Sequence, residues 1–419
     1  MRGRYWVETL GCPKNQVDSD KLEGTLIAEG YERASSVAQA DLVVVNTCAF
    51  IEDARRESVE VTLELSGARK EGARLVVTGC LAERYGDDLA AALPEADLVA
   101  GFGMPVTLGR KEREGQVPRL DLLNLPRPPS TRPWAYVKVA EGCDRACGYC
   151  AIPSFRGPQR SRTPEAILAE VESLGAQEIV LVAQDLASYG RDRGAPGIVE
   201  LVRAVAERVP WVRLLYLYPS DLSDALIGAI EGTAVHYFDL SLQHVSRPHL
   251  RRMRRWGDGD RFLARIADIR ARMPTAAFRS NFIIGYPGET EADHDALLEF
   301  IAAAQLDWCG MFAYSPEEGT YAVGLDGTVP EGLVAERLAE AAELQDHVTT
   351  TRRAALVGTT VDVLVDAPGV ARSHREAPEI DGVINVPRHL VPGTFVTVEI
   401  TGAAGPDLDG RPVRALIRG

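Results

Sequence analysis

The sequence predicts an α/β protein with an N-terminal parallel-sheet domain, a central partial (β/α)6 barrel and a C-terminal small antiparallel β domain. Short apolar runs alternate with helical stretches through most of the chain, which is typical of parallel sheets with right-handed crossovers. After about residue 354 the helical stretches stop, and β-branched runs separated by Gly, Pro and Asp follow. A length of 419 residues allows two or three domains.

The N-terminal domain, predicted over residues 1–113, repeats the order strand, cysteine, helix. Its three cysteines, Cys12, Cys48 and Cys80, each follow a short apolar strand. Because the carboxyl ends of parallel strands meet at one edge of a sheet, these thiols are expected to converge. Burial as small apolar side chains is the alternative. The predicted strands are 6–10, 42–45 and 75–77, and the predicted helices are 17–28, 53–66 and 84–93.

A proline-rich linker is predicted over 114–129, and six strand–helix units follow over 130–353. Six units are two short of a full barrel, which predicts an open barrel with a wide mouth for a large substrate. The predicted strands are 135–139, 178–183, 212–217, 237–242, 278–284 and 308–314. The predicted helices are 164–174, 198–209, 222–231, 261–273, 290–304 and 334–351.

The last domain, predicted over 354–419, is a small β-barrel or sandwich. Its predicted strands are 361–365, 383–386, 395–400 and 413–417. Acidic residues outnumber basic ones there, and the whole chain carries a net charge of −14. This balance argues against binding nucleic acid over the whole surface and favours a basic protein partner.

Six of the seven cysteines form two sets of three, which indicates metal chemistry in a reducing compartment rather than a disulfide framework. The chain begins without an apolar leader, and no run of eighteen apolar residues occurs. The sequence therefore predicts a soluble, cytoplasmic protein with no membrane partner.

The second set, Cys143, Cys147 and Cys150, follows the first barrel strand with the spacing C-x3-C-x2-C. Three thiolates at this spacing can hold three irons of a cubane 4Fe–4S cluster and leave the fourth iron free for a small molecule. A structural zinc site or an electron-transfer ferredoxin would use four protein ligands. The spacing therefore favours a catalytic cluster.

This triplet, with the aromatic Tyr149 before its last cysteine, resembles the radical S-adenosylmethionine (SAM) superfamily. Together with the flanking domains, the whole chain resembles the methylthiotransferases of that superfamily, and its motifs are similar to their RimO branch. The tRNA-modifying MiaB branch usually has Gln-Met where this chain has Pro13-Lys14. The motifs are ETLGCPKNQVDSD (8–20), NTCAF (46–50), TGCLAERY (78–85), AEGCDRACGYCAIPSFRG (140–157) and APEIDG (377–382).

The resemblance implies a radical SAM barrel, a TRAM-like β domain and two 4Fe–4S clusters. One cluster, on Cys143, Cys147 and Cys150, would bind SAM, and the other, on Cys12, Cys48 and Cys80, would hold the sulfur. The implied substrate is the β-carbon of an aspartyl residue of ribosomal protein S-twelve, free or in the small ribosomal subunit. An electron donor and a sulfur source are also implied, but the sequence identifies neither. No side chain is expected to act as catalytic acid or base.

The resemblance also points to SAM contacts at Tyr149, Gln184, Asp185 and Gly285. In the superfamily, the second barrel strand usually ends in a Gly-Gly-Glu-like motif, and Ala183-Gln184-Asp185 keeps the acid but lacks the glycines. Capping of a helix is the alternative role for Asp185. Gly285 begins a glycine-containing turn after the fifth strand, where a close approach of the backbone is expected.

Other charged groups have two interpretations each. The basic segment 249–256 is either a solvated helix face or a contact for RNA or an acidic part of the substrate. Glu317 and Glu318 either face a basic substrate or are ordinary loop charges. His236, His244 and Cys309 receive no role.

Two alternative functions stay open from the sequence. One is a tRNA adenosine methylthiotransferase that uses the same machinery. The other is a non-enzymatic iron–sulfur redox or carrier protein, which would leave the open irons without a role and would not cleave SAM.

Overall fold

The computed structural model describes residues 2–108, 120–194 and 197–413. Its N-terminal part contains a five-stranded parallel sheet of order β2-β1-β3-β4-β5. The strands are β1 (Gly3–Thr9), β2 (Tyr31–Arg33), β3 (Leu42–Thr47), β4 (Arg74–Gly79) and β5 (Leu98–Ala100). The helices are α1 (Pro13–Ala28), α2 (Glu52–Ala68) and α3 (Cys80–Ala92). The sequence did not predict β2 and β5, because three residues are too few to show a periodic pattern.

The central strand β3 shows why this sheet forms. All six of its residues, LVVVNT, are buried. A β-branched apolar run suits a strand that is covered on both faces, as parallel sheets require. Helix α1 begins at Pro13, whose fixed φ fits the first helical turn.

The central part is an open arrangement of six parallel strands, as predicted. The strands form two sheets, β10-β9-β6 and β11-β12-β13, and a bridge between Leu217 and Leu240 links them. The strands are β6 (Trp134–Lys138), β9 (Glu178–Val182), β10 (Trp211–Leu214), β11 (Tyr237–Gln243), β12 (Ala277–Ile284) and β13 (Trp308–Ala313). Strand β10 ends before the predicted residue 217, because Tyr216 has a φ of 64°.

Helices cover the outer face of the barrel, and a short hairpin and two short helices lie near its open end. The longer helices are α5 (Pro164–Leu174), α6 (Ile198–Ala206), α7 (Asp224–Thr233), α9 (Gly259–Arg272), α10 (Glu291–Ala304) and α11 (Glu331–Ala354). The short elements are β7 (Ala140–Glu141), α4 (Ile152–Arg156), β8 (Arg160–Ser161) and α8 (Arg247–Arg252). Buried side chains of these helices and of the strands form one continuous apolar core.

The C-terminal part is a closed barrel of order β14-β15-β16-β18-β17. Its strands are β14 (Thr360–Ala367), β15 (Val370–Arg372), β16 (Ile384–Asn385), β17 (Phe395–Ala404) and β18 (Asp407–Pro412). All its pairs are antiparallel except β16–β18, which is parallel. An odd number of strands cannot alternate in direction around a closed ring. The predicted antiparallel arrangement therefore does not hold for the β16–β18 pair. Apart from Val413, the predicted strand 413–417 lies outside the described residues.

The segment between β15 and β16 closes one end of the central barrel. The Tyr136 hydroxyl donates to the Pro378 carbonyl (2.7 Å), and the Tyr237 hydroxyl donates to the Asp381 carboxylate (2.6 Å). The Trp308 indole N–H donates to the Arg375 carbonyl (2.7 Å). These contacts occupy the N-terminal ends of the barrel strands and leave the opposite end for the N-terminal domain.

Residues 120–129, the part of the predicted linker that the structure describes, pack between the two larger domains. The ammonium of Lys21 donates to the Leu123 carbonyl (2.7 Å), and Arg127 pairs with Asp20 (2.7 Å) and Glu170 (3.0 Å). The predicted domain boundaries at 113 and 114 lie outside the described residues. Within the described part of the chain, no helix is long and apolar enough to span a membrane.

Candidate functional site

The N-terminal cysteines lie together at the carboxyl edge of their sheet. Cys12, Cys48 and Cys80 directly follow the turns or strand ends after β1, β3 and β4. The side-chain amide of Asn15 donates to the carbonyls of Leu10 (2.8 Å) and Thr47 (3.1 Å), and so ties two of these strand ends together.

The turn before Cys80 requires glycine. Gly79 has a φ of 91°, and a Cβ there would lie 2.3 Å from Asn46 Oδ1 and 2.6 Å from the Thr47 amide nitrogen. Only a residue without a side chain fits this space. The strand therefore turns sharply, and Cys80 begins α3 beside the other two cysteines.

Nearby charges shift the pKa of each of the three thiols, and the surroundings of the three differ. Burial and the neighbouring Cys12 and Cys80 raise the pKa of Cys48 to about 12. Burial acts to raise the pKa of Cys12, but the charges of Lys14 and Arg156 outweigh it, and the pKa is lowered. Three sulfur atoms at one point are soft donors that suit iron–sulfur binding.

The second set lies on one loop at the open end of the barrel. The Cys143 amide donates to the Gly157 carbonyl (3.1 Å), and the Gly148 amide donates to the Met253 carbonyl (2.8 Å). Gly142 precedes Cys143 with a φ of 78°, and a Cβ there would lie 2.1 Å from the Pro158 carbonyl oxygen. This turn also requires glycine.

Burial raises the pKa of Cys143 to about 11 and that of Cys150 to about 12, and neighbouring thiols add to both shifts. All three thiols of this loop are partly exposed, whereas Cys48 and Cys80 are buried. Cys12 of the N-terminal set is also partly exposed, so the two sets differ in exposure at Cys48 and Cys80 only.

The basic segment 249–256 is not a uniform solvated face. Arg255 is buried, and its Nη1 donates to Cys147 Sγ (3.2 Å) and to the Tyr149 hydroxyl (3.3 Å). Arg252 donates to the Pro287 carbonyl (2.8 Å), and Arg254 lies 3.6 Å from the centroid of the Tyr321 ring. The sequence did not single out Arg255, although its place in a basic segment was visible.

Two predicted SAM contacts, Gln184 and Asp185, follow β9 beside the cysteine loop. The Gln184 amide donates to Glu141 Oε1 (2.7 Å), and Asp185 Oδ2 accepts from Arg145 Nε (2.6 Å) and the Ser188 hydroxyl (2.7 Å). Within the described residues, Gln184 Oε1 and Asp185 Oδ1 are buried acceptors without a hydrogen-bond partner. The Asp185 side chain makes no helix-capping bond, which disfavours that alternative.

A side chain of α11 lies close to Gly285, a contact that the sequence did not predict. A Cβ at this position would lie 2.5 Å from Val334 Cγ2 of α11. Its amide donates to Glu289 Oε2 (2.7 Å). Packing against α11 explains this glycine, and contact with SAM stays a prediction.

One arginine from the helix after the cysteine loop contacts the N-terminal cysteine set. Arg156 Nη2 donates to Cys80 Sγ (3.0 Å) and to Asn15 Oδ1 (2.9 Å), while its Nη1 donates to Glu141 Oε1 (2.7 Å). Burial acts to raise the pKa of Glu141, but Arg156 and Lys138 outweigh it and hold this pKa well below its usual range. We call this link between Cys80 and Glu141, which lies just before the cysteine loop, the Arg156 bridge. The sequence did not predict it, because Arg156 is distant from Cys80 along the chain.

The Glu317 side chain is hydrogen-bonded within the protein rather than exposed on a loop. It is buried, and its carboxylate accepts from Arg84 Nη1 (2.6 Å), the Ser315 hydroxyl (2.7 Å) and Arg55. These bonds hold the N-terminal domain against the barrel. Neither interpretation from the sequence, a substrate contact or an ordinary loop charge, describes the buried Glu317, whereas Glu318 is exposed.

His244, His249 and Glu289 form a buried group whose nitrogen and oxygen atoms lie within 4.8 Å of one another. The Ser246 amide donates to His244 Nδ1 (3.1 Å), so Nε2 carries the ring proton and has no lone pair for a metal. Glu289 already accepts from Arg337 Nη1 (2.8 Å). Burial lowers the pKa of His244 to about 3 and that of His249 to about 4. The group therefore fits a neutral imidazole pair rather than a cation site.

Family profiles match each part of the chain. Residues 4–101 match an uncharacterized protein family, UPF0004, residues 137–301 match the radical SAM superfamily, and residues 357–413 match the TRAM domain. The open barrel and the three-cysteine loop agree with the central match. The fold and site thus define a radical SAM enzyme, and the non-enzymatic alternative is set aside.

Full-length relatives narrow this class. The chain is 41% identical to the ribosomal protein uS12 methylthiotransferase RimO of Anaeromyxobacter sp. (strain K), with 99% of this chain and 94% of the relative covered. It is 44% identical to the protein of that name from Moorella thermoacetica, with 95% and 96% covered. The chain belongs to the RimO family of methylthiotransferases. Its cofactors are accordingly SAM and iron–sulfur of the 4Fe–4S type.

A solved structure agrees at the level of the fold. The radical SAM methyltransferase TsrM from Kitasatospora setae, solved with tryptophan substrate and a SAM analog, superposes with a TM-score of 0.51 at 15% identity. The superposition covers 82% of this chain and 89% of that chain. At this identity the similarity supports the fold alone.

Proposed function

We propose that this chain methylthiolates the β-carbon of an aspartyl residue of ribosomal protein uS12, free or within the small ribosomal subunit. The near-complete alignment with relatives of that name supports this substrate. The net charge of −14 suits approach to a basic protein. The observation that carries the proposal is that Arg156, from the helix that follows the cysteine loop, donates to Cys80 Sγ of the N-terminal cysteine set.

We assign the loop cysteines Cys143, Cys147 and Cys150 to a 4Fe–4S cluster that binds SAM. Three protein thiolates leave one iron of a cubane without a protein ligand. Arg255 supports this assignment, because its guanidinium places a positive charge 3.2 Å from Cys147 Sγ. Once reduced by an external electron donor, a cluster held by these cysteines would supply one electron for the cleavage of SAM and so the radical chemistry that an unactivated carbon requires.

Gln184 and Asp185 are assigned to the amino group of SAM. Each offers a buried oxygen without a partner among the described residues, and an ammonium group donates to such oxygens. Tyr149 lies within the cysteine loop, where Arg255 donates to its hydroxyl at 3.3 Å, and it is assigned to the border of the same space on the resemblance. Gly285 is assigned to the backbone border of that space, on the resemblance alone.

The N-terminal cysteines Cys12, Cys48 and Cys80 are assigned to a second 4Fe–4S cluster. When bound, this cluster would hold the sulfur that is inserted into the substrate. Lys14 supports this assignment, because its charge acts to lower the pKa of Cys12. It is buried, and its Nζ lies 3.4 Å from the centroid of the Tyr216 ring, just after β10.

The test is an anaerobic reaction of the reconstituted chain with SAM, a reductant and sulfide. Ribosomal protein uS12, small ribosomal subunits and unmodified tRNA are offered in separate reactions, and mass spectrometry measures the gain of a methylthio group. We expect a gain on one aspartate of uS12 and none on tRNA. A gain on tRNA adenosine alone would overturn the protein substrate and leave the two-cluster assignment in place.

A cleavage control separates the two halves of the proposal. If SAM is cleaved but neither uS12 nor tRNA changes, the assignment of the loop cysteines stands and the substrate assignment fails. If SAM is not cleaved by chain that contains a full complement of iron, the assignment of the loop cysteines fails.

A further inference from the structure

Arg156 belongs to the barrel by sequence but contacts the N-terminal cysteine set. It ends α4, just after the loop of Cys143, Cys147 and Cys150, and its guanidinium reaches Cys80 Sγ at 3.0 Å. The same Nη2 also donates to Asn15 Oδ1 at 2.9 Å. Asn15 in turn holds the ends of β1 and β3. The guanidinium is therefore fixed against the sulfur by the fold of the other domain.

The charges around Arg156 are buried and alternate in sign. The side chains of Arg156, Asp18 and Lys138 are 3%, 1% and 0% exposed. Lys138 donates to Glu141 Oε2 at 2.6 Å and to Asp18, while Arg156 contacts both of these carboxylates. Because two cations face two anions, the guanidinium is held in place without a net excess of charge at this network.

A donor at this position has a defined electrostatic effect. Hydrogen bonds to cluster sulfurs, net charge and solvent exposure set the reduction potential of an iron–sulfur cluster. A buried positive donor stabilises the more negative, reduced state. Removal of the donor would therefore lower the reduction potential.

We infer that Arg156 is a positioning residue that raises the reduction potential of a cluster on Cys12, Cys48 and Cys80 through its bond to Cys80 Sγ. This inference rests on the proposed function, since it requires that these cysteines hold a cluster. Arg255 offers a matched residue, because it makes the same kind of bond to Cys147 Sγ in the other set. Each cysteine set thus has its own buried guanidinium donor.

The test uses full-length chain that keeps only one set of cysteines. In chain with Cys143, Cys147 and Cys150 replaced by Ala, the midpoint potential of the remaining cluster is measured by electron paramagnetic resonance during a redox titration. We expect Arg156→Gln to lower this potential, and Arg156→Lys to lower it less because the charge is kept. Arg255→Gln is the matched control and is expected to leave it unchanged.

The reciprocal chain, with Cys12, Cys48 and Cys80 replaced by Ala, reports the loop cluster. There we expect Arg255→Gln to lower the potential and Arg156→Gln to leave it unchanged. A wild-type potential for the N-terminal cluster in both Arg156 variants, at full iron content, would overturn the inference.

Iron content separates the remaining outcomes. If chain with Arg156→Gln does not take up the cluster, the midpoint potential of the cluster in the Arg156→Lys variant tests the inference instead. If neither variant loads it while the parent chain does, Arg156 serves assembly, and the inferred tuning is overturned. If the parent chain itself binds no iron at Cys12, Cys48 and Cys80, the proposed second cluster fails instead.

Discussion

The two cysteine sets are built in different ways. Cys12, Cys48 and Cys80 come from three strand ends of one parallel sheet, whereas Cys143, Cys147 and Cys150 share a single loop. The first set exists only when β1, β3 and β4 pair in register. The second set is close in sequence already, and the fold contributes its orientation and its neighbours.

The neighbours of the two sets are nevertheless alike. Each set has one sulfur that accepts a hydrogen bond from a buried arginine, Arg156 at Cys80 and Arg255 at Cys147. Each also has a glycine with positive φ directly before a cysteine, at Gly11 and Gly79 in the N-terminal set and at Gly142 in the loop. Different chain topologies have thus produced the same local requirements, namely a sharp turn that presents a thiol and a positive donor that stabilises a thiolate.

The largest expected effect separates the roles of the sets. Cys143→Ala is expected to abolish SAM cleavage, because the loop loses one of its three sulfur ligands, while the N-terminal set keeps about four irons. The measurement is 5′-deoxyadenosine formation together with iron content. Cys309→Ala is the control, since Cys309 lies in β13 and belongs to neither set. Normal cleavage by the Cys143 variant would contradict the assignment of the loop.

A substitution in the N-terminal set is expected to remove one activity and leave the other. Cys48→Ala leaves the loop intact, so SAM cleavage is expected to continue while the methylthio gain on uS12 is lost. Mass spectrometry of uS12 and 5′-deoxyadenosine formation are measured on the same samples. If the Cys48 variant still methylthiolates uS12, the N-terminal set does not serve sulfur insertion.

A pair of glycine substitutions tests whether the two turns are equivalent. A side chain at Gly79 or Gly142 is expected to cost about 1–3 kcal/mol of backbone strain, in addition to the clashes of its Cβ. We expect Gly79→Ala to reduce iron at the N-terminal set and Gly142→Ala to reduce iron at the loop. The iron content of the two single-set chains measures this. Equal losses at both sets for either variant would mean that the turns do not act locally.

The smallest expected effect concerns exposure. All three loop cysteines are partly exposed, whereas in the N-terminal set only Cys12 is, and Cys48 and Cys80 are each 7% exposed. A ferrous chelator is therefore expected to remove iron faster from the loop than from the N-terminal set. Stopped-flow absorbance of the iron–chelator complex in the two single-set chains gives the rates. Faster release from the N-terminal set would show that ligand exposure does not control access.

The sequence predicted the elements that carry a strong local pattern. The apolar run of β3 was recognised, because burial on both faces leaves a continuous β-branched segment. The six barrel strands were recognised as short apolar segments that alternate with helical stretches. The short strands β2 and β5 were not, and β10 ends early at Tyr216. Short elements and strand ends depend on pairing partners that a local pattern does not encode.

The site residues likewise divide into those that a local sequence pattern predicted and those that it did not. The residue type and spacing of Cys143, Cys147 and Cys150 were enough to predict a cluster with an open iron, since the chemistry belongs to three thiolates on one loop. The strand-end positions of Cys12, Cys48 and Cys80 were enough to predict that they converge. Arg156 and Arg255 were not predicted, because neither lies near its sulfur in the sequence.

The sequence by itself determined the order of domains, the parallel sheets and the donor atoms at each cysteine set. Only the tertiary structure decided that Arg156 bonds to Cys80, that Glu317 holds two domains together and that residues 373–383 close one end of the barrel. The physical reason is that a buried charge or polar group needs a partner in three dimensions. That partner comes from whichever segment the fold brings near, whereas hydrophobic periodicity and cysteine spacing act over a few neighbouring residues.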